Sequence, residues 1–324
     1  MRTLKELYFA SPVYRWRLAA KPLLGLNDRL SDDLPGDTSI GRAILDGRMS
    51  YANGSFTLEA DPWIKEPGEP GALEHLHGFC WLRDLRDLGG EAARLRARDL
   101  VDGWLARHDE WDALLWRPDI LGARLSSWIG NYDFFGGSAD DEFRADFFQS
   151  IGRQYRHLVG DIEASAPGAR RLLAAKGLFA AMAVIGEGSG KFDQALQWLH
   201  RELDRQVAAD GGHVSRSPAM QVSVLADLVE IRKALRLVGH ADEALDERIS
   251  MMTAMLRLLR HGDGGLALFN HATEGEVWFI DSLIAQAETK RKSLASAPDS
   301  GFERLVAGRT CLIMDTGEPS SADH

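Results

Sequence analysis

The stretch AADGGHVSRSPAMQ, residues 208–221, interrupts a run of helical periodicity, and about fifty residues later HGDGGLALFN, 261–270, repeats its Asp-Gly-Gly. Glycine supplies positive φ and aspartate caps the segment that follows, so either turn alone has an ordinary explanation as a helix-to-helix connection. The polar chemistry beside the turns sets them apart. His213, Ser215, Arg216 and Ser217 crowd the first, and His261, Asp263 and Asn270 crowd the second. Polar groups gathered on loops along one rim are how helical scaffolds build ligand sites.

On both sides of these turns the apolar residues recur with a period of 3.6 in segments near 73–88, 91–107, 119–135, 140–160, 168–186, 190–208, 217–238, 242–260 and 276–290. Short connections rich in Gly, Asp or Pro separate them: LGGE at 88–91, FGGSADD at 135–141, SAPG at 165–168, GEGSGK at 186–191 and GHAD at 239–242. Antiparallel helix hairpins follow, and their spacing fits either a helical solenoid or a closed α/α toroid. Before them, residues 27–70 are rich in Pro, Gly and Asp, and the alternation around Asn53-Gly54 predicts a short hairpin acting as a cap or strap. After them, SGFERLVAGRT and the residues up to 324 switch to period two. That switch predicts a strand ending without a partner, as in a chain that stops where a β-rich domain starts.

Composition narrows the function classes. With 324 residues and 45% apolar content the chain can bury a sizeable core, and a formal charge of −10 gives it no overall cationic surface for nucleic acid. The basic, amphipathic start carries Arg15 and Arg17 where a secretory signal needs an apolar core, and no run approaches the roughly 20 apolar residues of a membrane span. The cytoplasm is the expected compartment on that ground. Cys80 and Cys311 sit in apolar settings without metal-ligand spacing and read as inert core residues. GEGSGK follows a helix and lacks the spacing of a phosphate-binding loop. No pair of acidic residues stands out as the acid and base of a glycosidase.

Two further positions carry open readings. In WRPDILGARLSSWIGNYDFF, 116–135, Leu121, Arg124, Leu125 and Trp128 share one helix face. Arg124 is either a structural arginine within an apolar stripe or a guanidinium facing a cleft, where it would hold a carboxylate. His77 shares a face with Trp81 and reads first as a core histidine.

Several stretches together resemble the N-terminal half of heparinase II/III-like polysaccharide lyases. They are LYFASPVYRWRL (7–18), LDGRMSYANG with the following DPW (45–63), LHGFCWLRDLRDLG (76–89), WRPDILGARLSSWI (116–129), ADGGHVSRSP (209–218), RHGDGGLALFN (260–270) and SGFERLVAGRT (300–310). The resemblance implies a mostly α fold. It would be an incomplete α/α toroid at 73–295, with an N-terminal arm and strap at 1–72 and, at 296–324, the first strand of a truncated β-sandwich. It also implies β-elimination on a uronic-acid polysaccharide. One group neutralises the carboxylate, a base removes the C5 proton, and a tyrosine protonates the departing oxygen. No cofactor is expected in these residues, and a divalent metal would belong to the sandwich. Related lyases work in the periplasm, which is the alternative compartment.

Against that pattern, Met220 stands where such lyases carry the tyrosine, and Arg170 and Arg171 stand where they carry an Asn-His pair. The resemblance therefore leaves His213 as the candidate base. Arg124, Trp128, Arg170, Arg171, Arg216, Gln221, His261 and Asn270 are the candidate substrate-binding residues for an acidic polysaccharide. The competing reading is a toroid that binds a glycan or another partner without cleaving it. A glycoside hydrolase on a similar toroid comes third.

Overall fold

The computed structural model describes residues 3–19, 21–51 and 54–318. Its internal contacts divide the chain into two compact units, Met1–Ser165 with Ala174–Glu187, and Ala166–Leu173 with Gly188–His324. The division falls inside one long helix, Ala169–Ile185.

The first unit begins with α1 (Leu4–Phe9) and α2 (Pro12–Ala19), then α3 (Thr38–Leu45). Thr3 and Glu6 close a reciprocal cap on α1, and Asp37 caps α3. The predicted hairpin is present as β1 (Arg48–Tyr51) paired antiparallel with β2 (Gly54–Thr57), while Asn53 of its expected turn lies outside the described residues. Next come α4 (Pro70–Gly78), α5 (Leu82–Leu88), α6 (Gly90–His108), α7 (Pro118–Gly130), α8 (Tyr132–Phe135) and α9 (Asp141–Asp161). The hairpin packs on α3 and α4, α7 packs on α4 and α9, and α2 lies along α9.

The single helix expected over 73–88 is in fact two. Phe79 takes a left-handed φ of 58° at the end of α4, because its ring enters the core beside Trp81 and the chain must turn to bury both. Cys80 is thereby turned outward and is exposed, which corrects its reading as a core residue. Asn131 similarly breaks the expected 119–135 segment, its side-chain amide donating to the Ser127 carbonyl at 2.9 Å.

The second unit contains the start of α10 (Ala169–Ile185), followed by α11 (Ser189–Gln206), α12 (Pro218–Leu237), α13 (Glu243–Leu258) and α14 (Val277–Gln286), with α12 packed on α13 and α14. Its C-terminal part is a three-stranded antiparallel sheet of β3 (Ser296–Ala297), β4 (Phe302–Ala307) and β5 (Thr310–Asp315). A strand at 302 was expected, but the expectation that it ends unpaired fails. Gly308, at φ 59°, turns the chain so that the period-two segment pairs with its own second half. One face of the sheet is buried: Ala297, Phe302 and Ile313 pack against Met255, Leu258, Leu259 and Ala267.

Among the described residues no helix is long and apolar enough to cross a membrane.

Candidate functional site

The two Asp-Gly-Gly turns have the same build. In the first, Ala208 N–H donates to Gly212 O at 2.8 Å, Gly211 N–H to Ala208 O at 3.0 Å and Val214 N–H to Gln206 O at 2.9 Å. In the second, His261 donates to Gly265 O, Gly264 to His261 O and Ala267 to Leu259 O, at 2.9, 3.1 and 2.9 Å. Asp210 and Asp263 each accept from the amide two residues on, and Gly211 and Gly264 supply φ values of 88° and 93°. A β-carbon on Gly211 would collide with the backbone of Met251, so close approach to α13 requires glycine there as much as the positive φ does.

The polar residues at the first turn reach the sheet. Asp210 accepts from the Ser300 hydroxyl at 2.5 Å and from its amide at 2.7 Å. Arg216 donates from Nε to the Ser300 carbonyl at 3.0 Å, and its two terminal nitrogens donate to the Asp315 carboxylate and the Glu318 carbonyl. Its guanidinium carbon lies 5.3 Å from the centre of the Phe302 ring. Gln221, 1% exposed, accepts from His213 N–H at 2.8 Å and donates to the carbonyls of Gly211 and Met252 at 2.8 and 3.0 Å, tying the turn to α13.

His213 is 4% exposed. Its Nδ1 accepts from Ser215 N–H at 3.2 Å and lies 2.8 Å from the Ser215 hydroxyl, which places the ring proton on Nε2. The basic lone pair therefore faces Ser215. Asn270 donates its side-chain amide to the Arg216 carbonyl at 2.9 Å. The structure thus brings His213, Arg216, Gln221 and Asn270 together with Asp210 of the turn itself, and adds Ser300 and Asp315, which carry no signal in the sequence.

The other candidates lie elsewhere. His261 is exposed on the second turn, and Arg170 is exposed near the start of α10. Arg171 pairs with the buried Glu202 at 2.8 Å, which Arg205 also engages at 2.6 Å.

Arg124 and Trp128 belong to the core of the first unit. Both are fully buried, which corrects their assignment to a substrate surface. Arg124 donates to Gln154 Oε1 at 2.8 Å, His77 O at 3.0 Å and Leu115 O at 2.9 Å, and its guanidinium lies 4.3 Å from the Trp104 ring centre. Burial pushes its pKa down to about 9. The arginine ties together loop, helix end and helix, so the stripe it interrupts is packing throughout. Trp128 meets Phe79 and Trp104 edge-on at 5.2 and 5.1 Å.

His77 is a core residue, as read, but has neighbours the sequence did not announce. Trp104 Nε1 donates to its Nδ1 at 3.0 Å, and Glu66 Oε1 lies 3.1 Å from His77 Nε2 and 3.0 Å from His108 Nε2. Burial works against ionisation of Glu66, yet its hydrogen bonds with His108 and His77 outweigh that and hold its pKa at about 2. Among the described residues no group of three or more His, Cys, Asp or Glu side chains is placed to hold a metal ion.

Residues 104–261 match the family described as heparinase II/III N-terminus. FtsZ-localized protein C of Caulobacter vibrioides is 32% identical over 315 residues, which cover 96% of this chain and 54% of that protein. Among solved structures, heparan sulfate lyase HepC from Pedobacter heparinus aligns with 93% of this chain and 54% of its own, at 16% identity and a TM-score of 0.57. Heparinase III aligns with 84% and 48%, at 15% identity and a TM-score of 0.58. At these identities the structural likeness shows the fold alone, the mostly helical class of heparinase N-terminal toroids. The chain spans about half the length of the proteins it matches.

Proposed function

We propose that this chain, whose residues 104–261 match the heparinase II/III N-terminus, works by binding a partner and does not cleave a polysaccharide. The observation that supports this reading is the use to which the first Asp-Gly-Gly turn is put. A β-eliminating site needs a base with an open lone pair and a cation with open donors near the substrate carboxylate. Here the lone pair of His213 faces Ser215, and the donors of Arg216 engage Ser300, Asp315 and Glu318. Met220 stands where the lyases that this chain resembles carry the tyrosine acid, and a thioether transfers no proton.

The relative at 32% identity is named for localisation with FtsZ, and we extend that property to this chain as its partner. Co-sedimentation with FtsZ polymers and a fluorescent fusion viewed beside labelled FtsZ test it. Enrichment in the pellet and at the labelled structures is the expected result. A chain that stays in the supernatant and spreads evenly through the cell would overturn this partner.

The second reading is a lyase acting on a uronic-acid polysaccharide, favoured by the family match over residues 104–261. In it the exposed Arg170 and His261 would meet the acidic polymer. Incubation with alginate, heparan and related uronate polymers, followed by ultraviolet absorbance of unsaturated uronate, separates the two. The binding reading expects no absorbance, and product formed by this chain would replace it with the lyase.

A further inference from the structure

The first unit contains a cavity of about 210 Å³ that none of the contacts described so far explains. Phe9, Tyr14, Trp111 and Trp116 supply its aromatic lining, from the α1–α2 corner and the loop after α6. The rings are mutually braced: Phe9 lies 4.7 Å from Tyr14 and 5.6 Å from Trp111, centre to centre. Tyr14 and Trp116 are buried, whereas Phe9 and Trp111 remain partly accessible and so present ring surface to an incoming molecule.

The charged lining is nearly self-neutralised. Arg15 forks onto Glu110 at 2.7 and 2.8 Å, and Arg153 pairs with Asp109. Asp112, the remaining carboxylate, accepts from the amides of Leu114 and Leu115 at 2.8 and 2.9 Å. The Tyr14 hydroxyl lies 2.7 Å from His157 Nδ1, and burial together with the Asp161 charge raises its pKa, keeping it neutral.

Accessible ring faces beside the exposed Asp112 carboxylate suit a molecule with an apolar C–H face and neutral hydroxyl or amide donors at its edge. The charge balance selects further. An anionic sugar would meet three carboxylates, Asp109, Glu110 and Asp112, with both guanidinium groups already paired. A cation would find Glu110 and Asp109 already engaged by Arg15 and Arg153, and Asp112 engaged by the amides of Leu114 and Leu115. We propose that this cavity is a binding site for an uncharged sugar residue. This chemistry differs from the uronates that a lyase of this fold would hold, and it depends on neither reading of the second unit.

Isothermal titration with N-acetylglucosamine, glucose, glucuronate and choline tests the proposal on the whole chain. The neutral sugars should bind at least tenfold more tightly than glucuronate or choline. Trp111→Ala, which removes a ring face, and Ala113→Trp, which fills the cavity from an exposed position, should each weaken the neutral sugars at least tenfold. Both variants should keep the parent's far-ultraviolet circular dichroism. Saturation-transfer NMR on N-acetylglucosamine should report contact through its ring protons. Absence of binding by both neutral sugars, equal or tighter binding of glucuronate or choline, or unaltered binding in a folded Ala113→Trp variant would overturn it.

Discussion

Asn270 donates its side-chain amide to the main-chain carbonyl of Arg216 at 2.9 Å, and both residues hold a left-handed backbone, at φ 47° and 56°. Each is thus strained alone and fixed by the other's neighbourhood. Arg216 N–H is further held by His213 O at 2.8 Å, and its side chain reaches across to β5. The second turn steadies the first, and the first seats the sheet.

The Asn270 contact should contribute measurably to stability. Asn270→Ala removes a hydrogen bond and places a β-branch-free but less tolerant residue at positive φ, costing about 1–3 kcal/mol. Asn270→Gly should recover the backbone part and lose only the bond. Urea unfolding of the two variants checks the order, and equal stability of both with the parent would remove Asn270 from this role.

Asp210 should govern how firmly the sheet is held. Its carboxylate takes the hydroxyl and the amide of Ser300 as well as the Gly212 amide, so Asp210→Ala leaves three donors to find water at a packed junction. A loss of about 2–3 kcal/mol is expected, with faster amide exchange along Phe302–Ala307 and Thr310–Asp315. Exchange that stays as slow as in the parent would show that the apolar contacts of Phe302 and Ile313 hold the sheet without it.

The sequence conveyed the helices because burial imposes a 3.6-residue period, and it conveyed the Asp-Gly-Gly turns because only glycine tolerates φ near 90° there. It did not convey what the turns hold. Ser300 and Asp315 lie far along the chain from Asp210 and Arg216, and such pairings leave no local pattern. The break at Phe79 was hidden for the opposite reason, since the apolar period runs on through a residue that ends the helix. Arg124 stood out as an anomaly in its stripe, yet both of its readings have the same spacing. Only its burial and its three oxygen partners separate them. Gly308 read as part of a strand because one glycine in an alternating run marks a bulge as readily as a turn.

Arg124 should therefore be a stability residue. Arg124→Met keeps much of the volume but leaves Gln154, His77 O and Leu115 O without their donor, at a cost of about 3–5 kcal/mol. Arg124→Lys should lie between, because one ammonium cannot span all three oxygens. Thermal unfolding checks the series, and a methionine variant within 0.5 kcal/mol of the parent, roughly the size of a neutral surface change, would return Arg124 to the open reading.

Acid should unfold the protein in two windows, each with its own groups. His157, 1% exposed, has its pKa pushed down to about 4, chiefly by burial and only partly offset by Asp161, and burial brings half-buried His75 to about 4 as well. An unfolded histidine titrates near 6.5. Between those values the unfolded chain binds protons that the folded chain does not, so stability falls as pH drops from about 6.5 to about 4. For His157 the loss amounts to about 2–3 kcal/mol. Glu66 acts lower. Its folded pKa of about 2 lies below the unfolded value, so its contribution is complete above about 4.3 and disappears as pH falls towards 2. Chemical denaturation at half-unit steps from pH 7.5 to 3 should show the first decline and the onset of the second. His157→Asn should reduce the decline in the upper window to the part His75 contributes while leaving the lower window, and Glu66→Gln should remove the lower while leaving the upper. A His157→Asn profile as steep as the parent's between pH 6.5 and 4 would mean that this histidine is not held neutral by the fold.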